Sequence, residues 1–268
     1  MENLNPILFD FEGISLKQLE SVQLLNRRDT KFVFNQTKLP SILRALMSYF
    51  RILDIENFRV IEYENIYFDT DDFLFYTQHH NEKLNRHKVR MRRYLQPDVS
   101  YFEIKLKTNK KRMIKRRVKI TQITDYLDES DKEFVRQVIG IQPDTLSPKL
   151  WIKFSRISLV DKNFKNRVTI DSNINVNNGT KETQFRNLVI AELKQNIFRP
   201  VPEFFQNMRR NGAYEMRISK YCMGILHTYD GVKYNRFKQK VLRINKLMSE
   251  NLIGDTNGEY VEPRGIYV

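Results

Sequence analysis

Three stretches in the middle of the chain alternate apolar and polar residues one by one. Lys88–Leu95, Ser100–Thr108 and Arg112–Thr121 have the period of two that marks strands. Gln96-Pro97-Asp98 and Asn109-Lys110-Lys111 sit between them as turns. Shorter strand patterns fall at Asp29–Phe34, Asn65–Asp69, Leu150–Val160, Asn166–Asp171 and Leu188–Lys194. Helical spacing runs through Ser15–Leu25, with Ser15 as its cap, and Thr37–Phe50, with Pro40 in the first turn. It recurs in Asp71–His80, Asp125–Ile139, ended by Gly140, Val201–Asn211, Ser219–His227 and Tyr234–Met248. Most strands follow one another without a crossover helix. The expected class is therefore α+β, an antiparallel sheet with helices around it.

The alternation also sorts the charges. Arg90 and Arg92 share a face with Tyr94, opposite Val89 and Met91. Glu103, Lys105 and Lys107 lie opposite Phe102, Ile104 and Leu106. Lys115, Arg117 and Lys119 lie opposite Ile114, Val118 and Ile120, a face that Arg116 interrupts. From Arg86 to Lys119 there are fourteen Lys and Arg against two acids, in a chain whose whole surplus is +14. Like charges facing each other across strands destabilise a sheet. Such a face needs anions or carboxylates within it, or open water around it, and alternation by itself leaves both readings standing. Single charges inside other apolar strands extend the pattern: Arg27, Asp29 and Lys31, then Arg156, Arg167, Glu192 and Lys194. Charges dispersed over so many strands suggest a barrel, polar inside, apolar outside under its helices, with a lumen suited to a highly charged ligand.

At 268 residues and 41% hydrophobic content the chain can build a sizeable core. Its basic balance points to a polyanionic partner. Cys222 is the single cysteine, so a disulfide framework or cysteine-rich zinc site is excluded. No apolar run reaches the ~18 residues of a membrane span, and acids stand where a signal peptide would carry bases, so a cytoplasmic protein without a transmembrane segment is expected. Only Tyr94 and Tyr101 flank the basic strands as stacking platforms, which disfavours nucleic acid. His79-His80 reads as a surface pair, and Tyr67, Phe68 and Asp69 as core and turn. The basic helix Tyr234–Met248 admits a membrane-protein or acidic partner, although packing against the sheet is the commoner use of such a helix.

Nine short strings then fall in one order: RRDTKF (27–32), YFDT (67–70), RHKVRMRRY (86–94), FEIKLK (102–107), MIKRR (113–117), FSR (154–156), RVTID (167–171), AELK (191–194) and SKY (219–221). Together they resemble the VTC domain, the polyphosphate polymerase domain of the CYTH-like triphosphate tunnel metalloenzyme superfamily. The resemblance implies one domain over residues 1–268, with a matched core of about 27–224 and a C-terminal helix and tail at 234–268. It implies a closed antiparallel β-barrel tunnel with a charged lumen, binding ATP and inorganic polyphosphate. The implied reaction moves the terminal phosphate of ATP onto a growing polyphosphate chain, with Mn2+ or Mg2+. The implied catalytic bases are Lys31, Arg90, Arg92, Lys105, Arg156, Arg167 and Lys220. Arg27, Lys115, Arg117 and Lys194 are implied to hold phosphate, and Glu192 the metal. Glu103 reads instead as a charge partner for lumen lysines. Related tunnel triphosphatases carry ExExK on the first strand, where this chain has Arg27-x-Asp29-x-Lys31, with one acid. That departure argues against a simple hydrolase. A tunnel-fold triphosphatase, and a polyphosphate- or polyanion-binding module without turnover, stand as alternatives.

Overall fold

The structure, a computed structural model, describes residues 4–22, 27–110, 113–198 and 200–249, apart from the side chain of Arg27. The chain opens with α1 (Asn5–Phe9), β1 (Gly13–Ile14), α2 (Leu16–Glu20), β2 (Arg27–Asn35), α3 (Leu39–Leu46), β3 (Phe50–Leu53), β4 (Ile61–Asp69) and α4 (Leu74–His80). The hairpin strands β5 (Arg86–Tyr94), β6 (Val99–Lys107) and β7 (Met113–Ile120) come next, then α5 (Glu129–Ile139). β8 (Ser147–Asp161), β9 (Asn166–Asn177), β10 (Glu182–Phe185) and β11 (Leu188–Asn196) follow. The described chain closes with α6 (Pro202–Arg210), β12 (Tyr214–Glu215), α7 (Lys220–Thr228) and α8 (Lys238–Ser249).

The α+β class is as expected. The main sheet runs β12-β2-β11-β9-β8-β4-β5-β6-β7, and every ladder along it is antiparallel. β3 pairs β8, β10 pairs β9, and β1 pairs β3 in parallel. The expected barrel closure is corrected: among the described residues β7 pairs only β6, and no ladder joins it to β2. Strand β7 is exposed from Met113 to Lys119. Pairing it with β2 would bring Lys115 and Arg117 towards the bases of that strand with no anion between, an unfavourable cross-strand arrangement.

Helices cover the apolar faces. α1, α3 and α6 bury Phe32, Phe34, Leu159 and Val189. α5 lies over Val89, Met91, Phe102 and Ile104. α7 and α8 pack on the other side, against Tyr67, Leu150, Ile152 and Ile190. Gly224 brings α7 so near β8 that a Cβ there would collide with the Leu150 side chain. Buried Asp69 ties α4 to the sheet. Its carboxylate accepts the backbone N–H groups of Thr70 (2.8 Å), Phe75 (2.8 Å) and Tyr76 (2.9 Å), and the hydroxyl of Tyr221 in α7. No helix among the described residues is long and apolar enough to cross a membrane.

Several element boundaries shift from expectation. The helix expected over Ser15–Leu25 stops at Glu20, with Ser15 and Gln18 forming a reciprocal capping box; residues 23–26 lie outside the described set. The helix expected to Phe50 ends at Leu46, and Phe50 opens β3. Helix α4 starts at Leu74 because the Thr70 hydroxyl accepts its first N–H and the Asp69 carboxylate the next two, leaving Asp71 and Asp72 in the preceding turn. Helix α5 starts after Asp128, which forms a capping box with Asp131. The basic helix begins with a short 3-10 turn at Asn235–Phe237 before α8.

Candidate functional site

Alternation in the strands converges on one cavity of about 890 Å3 on one face of the sheet. β5 contributes Arg86, Lys88, Arg90, Arg92 and Tyr94; β6 contributes Tyr101, Lys105 and Lys107; β7 contributes Lys115 and Arg117. Next to them along the sheet come Tyr63 and Tyr67 of β4, Phe154 and Arg156 of β8, and Arg167 and Asp171 of β9. Glu192 and Lys194 of β11, Asp29 and Lys31 of β2, and Ser219 and Lys220 at the start of α7 complete the wall. Among the described residues thirteen Lys and Arg line the cavity against four carboxylates, so its field is strongly positive.

The register explains how that charge is held. Lys88, Lys105 and Lys115 form one row across three strands. The next row is Arg90, Glu103, Arg117. Glu103 is fully buried. It accepts from Arg90 Nε at 2.8 Å and pairs with Lys115. Burial pushes its carboxyl up, but Arg90, Arg92 and Lys115 outweigh burial and hold it below the usual carboxylate range. Lys105 lies well below the ordinary lysine value, first because Arg90 stands beside it and then because it is buried. This row is electrostatic strain that a bound anion would relieve.

A second cluster joins β8, β9 and α7. Arg156 grips Asp171 through Nε (2.6 Å) and Nη2 (2.8 Å), and Lys220 pairs with the same carboxylate. The Arg156 guanidinium, although paired in this way, still lines the cavity. Tyr63 stacks on Phe154 with centroids 4.9 Å apart. Arg92 and Arg156 both lie against the Tyr63 ring, at 4.9 and 4.8 Å. Burial pulls Lys220 down to about 8, against the opposing pull of Asp171. Tyr67 falls to about 8 as well: burial raises it, but Arg90 and Arg92 outweigh that effect.

The third cluster is acidic. Glu192 pairs with Lys194 at 2.8 Å and faces Lys31 across the ladder. Burial opposes its charge, but Lys31 and Lys194 overcome burial and keep the carboxyl well below its ordinary value. Lys194 faces Asp29, so Asp29 and Glu192 are diagonal neighbours on one face. Among the described residues no group of three His, Cys, Asp or Glu side chains could cage a metal ion. Hard divalent cations take about six oxygen ligands. This wall therefore fits an ion that shares phosphate oxygens and water with Glu192; it does not build a cage made of protein alone.

Of the sequence-derived site residues, Lys31, Arg90, Arg92, Lys105, Lys115, Arg117, Arg156, Arg167, Glu192, Lys194 and Lys220 all line this cavity. Arg27 opens β2, and its side chain is outside the described set. Arg93, which alternates with Arg92 and is not among the cavity-lining residues, pairs with Asp98 at 2.9 Å. Two readings are corrected. His79 and His80 are no surface pair: His80 is buried, and His79 lines the cavity beside Arg86 and Lys88, where burial and then those cations keep its imidazole neutral. The other concerns aromatics, since Tyr63, Tyr67 and Phe154 join Tyr94 and Tyr101 on the wall. The spacing of Ile61, Tyr63, Asn65 and Tyr67 carries that signal once the strand is extended back to Ile61.

None of the curated proteins compared with the chain matches it. Solved structures do. A Hippeastrum adenylyl cyclase candidate, described as having a dominant triphosphatase activity, is 12% identical with a TM-score of 0.48, covering 76% of this chain and 98% of that one. A candidate adenylate cyclase of Bacillus halodurans is 12% identical with a TM-score of 0.47, covering 79% and 96%. The PH1819 protein of Pyrococcus horikoshii OT3 is 14% identical with a TM-score of 0.42, covering 73% and 95%. The family model of the VTC domain matches residues 26–229, a span holding every strand of the cavity wall together with α7. This chain belongs to the VTC-domain family.

Proposed function

We propose that the protein is a polyphosphate polymerase that moves the terminal phosphate of ATP onto the end of a polyphosphate chain inside the basic cavity. One observation carries the reading: bases from the β5–β7 hairpins and from β2, β8, β9 and β11 converge on one space whose opposite wall holds Glu192. Phosphoryl transfer asks for positioning and charge neutralisation more than for covalent help. Arg90, Arg92 and Arg156 supply planar forks that can meet phosphate oxygens in pairs. Lys31, Lys105, Lys115 and Lys220 supply point charges on either side. A divalent ion arriving with the triphosphate would neutralise oxygen charge as it develops, and Glu192, with Asp29 nearby, is where it would be held.

The test incubates the purified chain with ATP and Mn2+ and follows polymer length and free phosphate together. Growing chains support the proposal. Free phosphate without chains selects a triphosphatase, and neither product with retained polyphosphate binding selects a binding module.

A pH dependence follows. Lys220 titrates near 8 in the unliganded cavity, and a bound phosphate would raise that value. Tripolyphosphate affinity should therefore fall between pH 7 and 9. Binding should take up protons, measurable by calorimetry in buffers of different ionisation enthalpy. Tyr67, also near 8, becomes negative above that pH and acts in the same direction. The free protein should show the opposite trend. The folded value of Lys220 lies below its ordinary 10.5, so between those two values the unfolded chain binds more protons and stability rises with pH.

A further inference from the structure

The cavity does not account for all the concentrated charge. Residues 233–249 contain six Lys and Arg and no acid. Part of this run faces a second, open groove of about 520 Å3 between β12 and α8. Lys240, Arg243 and Lys246 line it with Tyr214, Met216 and Leu242, and among the described residues its one acid is Glu215. Arg243 lies over the Tyr214 ring at 3.8 Å, and Lys240 lies over Phe237 at 5.0 Å. Both contacts use ring faces and leave N–H donors available. Among the described residues, none of the three bases is within ion-pair distance of a carboxylate.

The groove adjoins one end of the cavity. Register puts Arg86 and Lys107 at that end and Tyr94 with Val99 at the other. His79 and Lys88 lie at the Arg86 end. Lys240 of the groove is among the cations that act on His79, and the Phe237 ring beneath Lys240 meets the His79 ring at 6.3 Å. The wall between the two spaces is a single segment. Met216, in the groove, donates its N–H to the Lys31 carbonyl at 2.9 Å, and Lys31 Nζ donates to the Ile218 carbonyl at 3.1 Å.

We propose that this groove is an external subsite for a phosphate chain, holding phosphates that lie beyond the cavity and keeping the polymer engaged between transfers. The proposal rests on the polyphosphate reading above and adds to it a dependence on chain length. A ligand of three phosphates fits the cavity alone, whereas one of several tens of units must leave it. Past the Arg86 end the chain meets Lys240, Arg243 and Lys246 in succession along α8.

The test compares tripolyphosphate with a polyphosphate of several tens of units, using the full chain and a Lys240→Gln, Arg243→Gln, Lys246→Gln variant. Lys246 is exposed and Lys240 and Arg243 are half-buried, and far-ultraviolet circular dichroism checks that the fold is kept. The long chain should bind the variant about tenfold or more weakly, and its log-affinity against log-salt slope should flatten by about 2. Tripolyphosphate affinity should not change, and a variant with Lys240→Arg and Lys246→Arg should bind the long chain as the parent does. Unchanged long-chain binding in the Gln variant would overturn the proposal, including the case in which those bases serve anionic vesicles instead. Equal loss for both lengths would also overturn it, since the effect would then lie in the cavity. A parent protein that binds neither length would remove the polyphosphate reading itself.

Discussion

Glu192→Gln should lower chain synthesis from ATP by about 10³-fold or more, while tripolyphosphate binding without metal stays the same or tightens. The two readouts separate because the carboxylate plays opposite parts in them. Towards a bare phosphate it is a negative charge in a positive pocket, and Gln removes that repulsion while keeping the shape. Towards a divalent ion it is an oxygen ligand that an amide replaces poorly. Lys194, left without its partner at 2.8 Å, becomes free to meet the phosphate. Asp29→Asn should cost less, because Asp29 stands one rung away and faces Lys194, not Lys31. Chain synthesis and its Mn2+ titration decide the matter. If Glu192→Gln retains activity within about threefold of the parent, the metal assignment is wrong.

The cavity wall could be read from the sequence where strands alternate strictly. Arg90, Arg92, Lys105 and Lys115 were separable from Met91, Phe102 and Ile114 because one residue of register decides which face a side chain takes. Arg156, Arg167, Glu192 and Lys194 stood out as single charges in apolar strands. What failed had physical causes. Tyr63 falls outside the expected strand because β4 begins at Ile61, four residues before the expected start at Asn65. His79 was misplaced because its burial comes from Phe237, far along the chain, which no local pattern reports. Barrel closure was over-read because alternation gives faces, not edges. Whether β7 meets β2 depends on charges that only a ligand would balance. Strands of two residues, such as β1 and β12, carry no period and are set by their partners Phe50–Leu53 and Arg27–Asn35.

Glu103→Gln should destabilise the unliganded protein by about 3–5 kcal/mol, the scale for removing one partner from a buried ion pair. It should also become the variant that polyphosphate rescues most strongly. Glu103 is fully buried between Arg90 and Lys115, and its row adjoins the Lys88, Lys105, Lys115 row. Removing its charge leaves these bases repelling one another with no anion inside the sheet. Tyr67 and Asn65 do not replace it, since Tyr67 accepts one bond from Arg90 at 3.0 Å and Asn65 is committed to Arg92 at 2.7 Å. An added polyanion can take the missing position from the cavity side, because Lys115 and Arg90 both line that wall. Ligand binding to the folded state stabilises it by mass action, so tighter binding gives a larger shift. Thermal melts with and without tripolyphosphate should therefore show a lower starting midpoint and a larger upward shift than in the parent. The same shift without the lower starting point would mean that Glu103 repels the ligand without supporting the fold. A lower midpoint with no added shift would mean that phosphate never reaches the Arg90–Lys115 wall, and the site would then have to lie nearer Arg156 and Lys220.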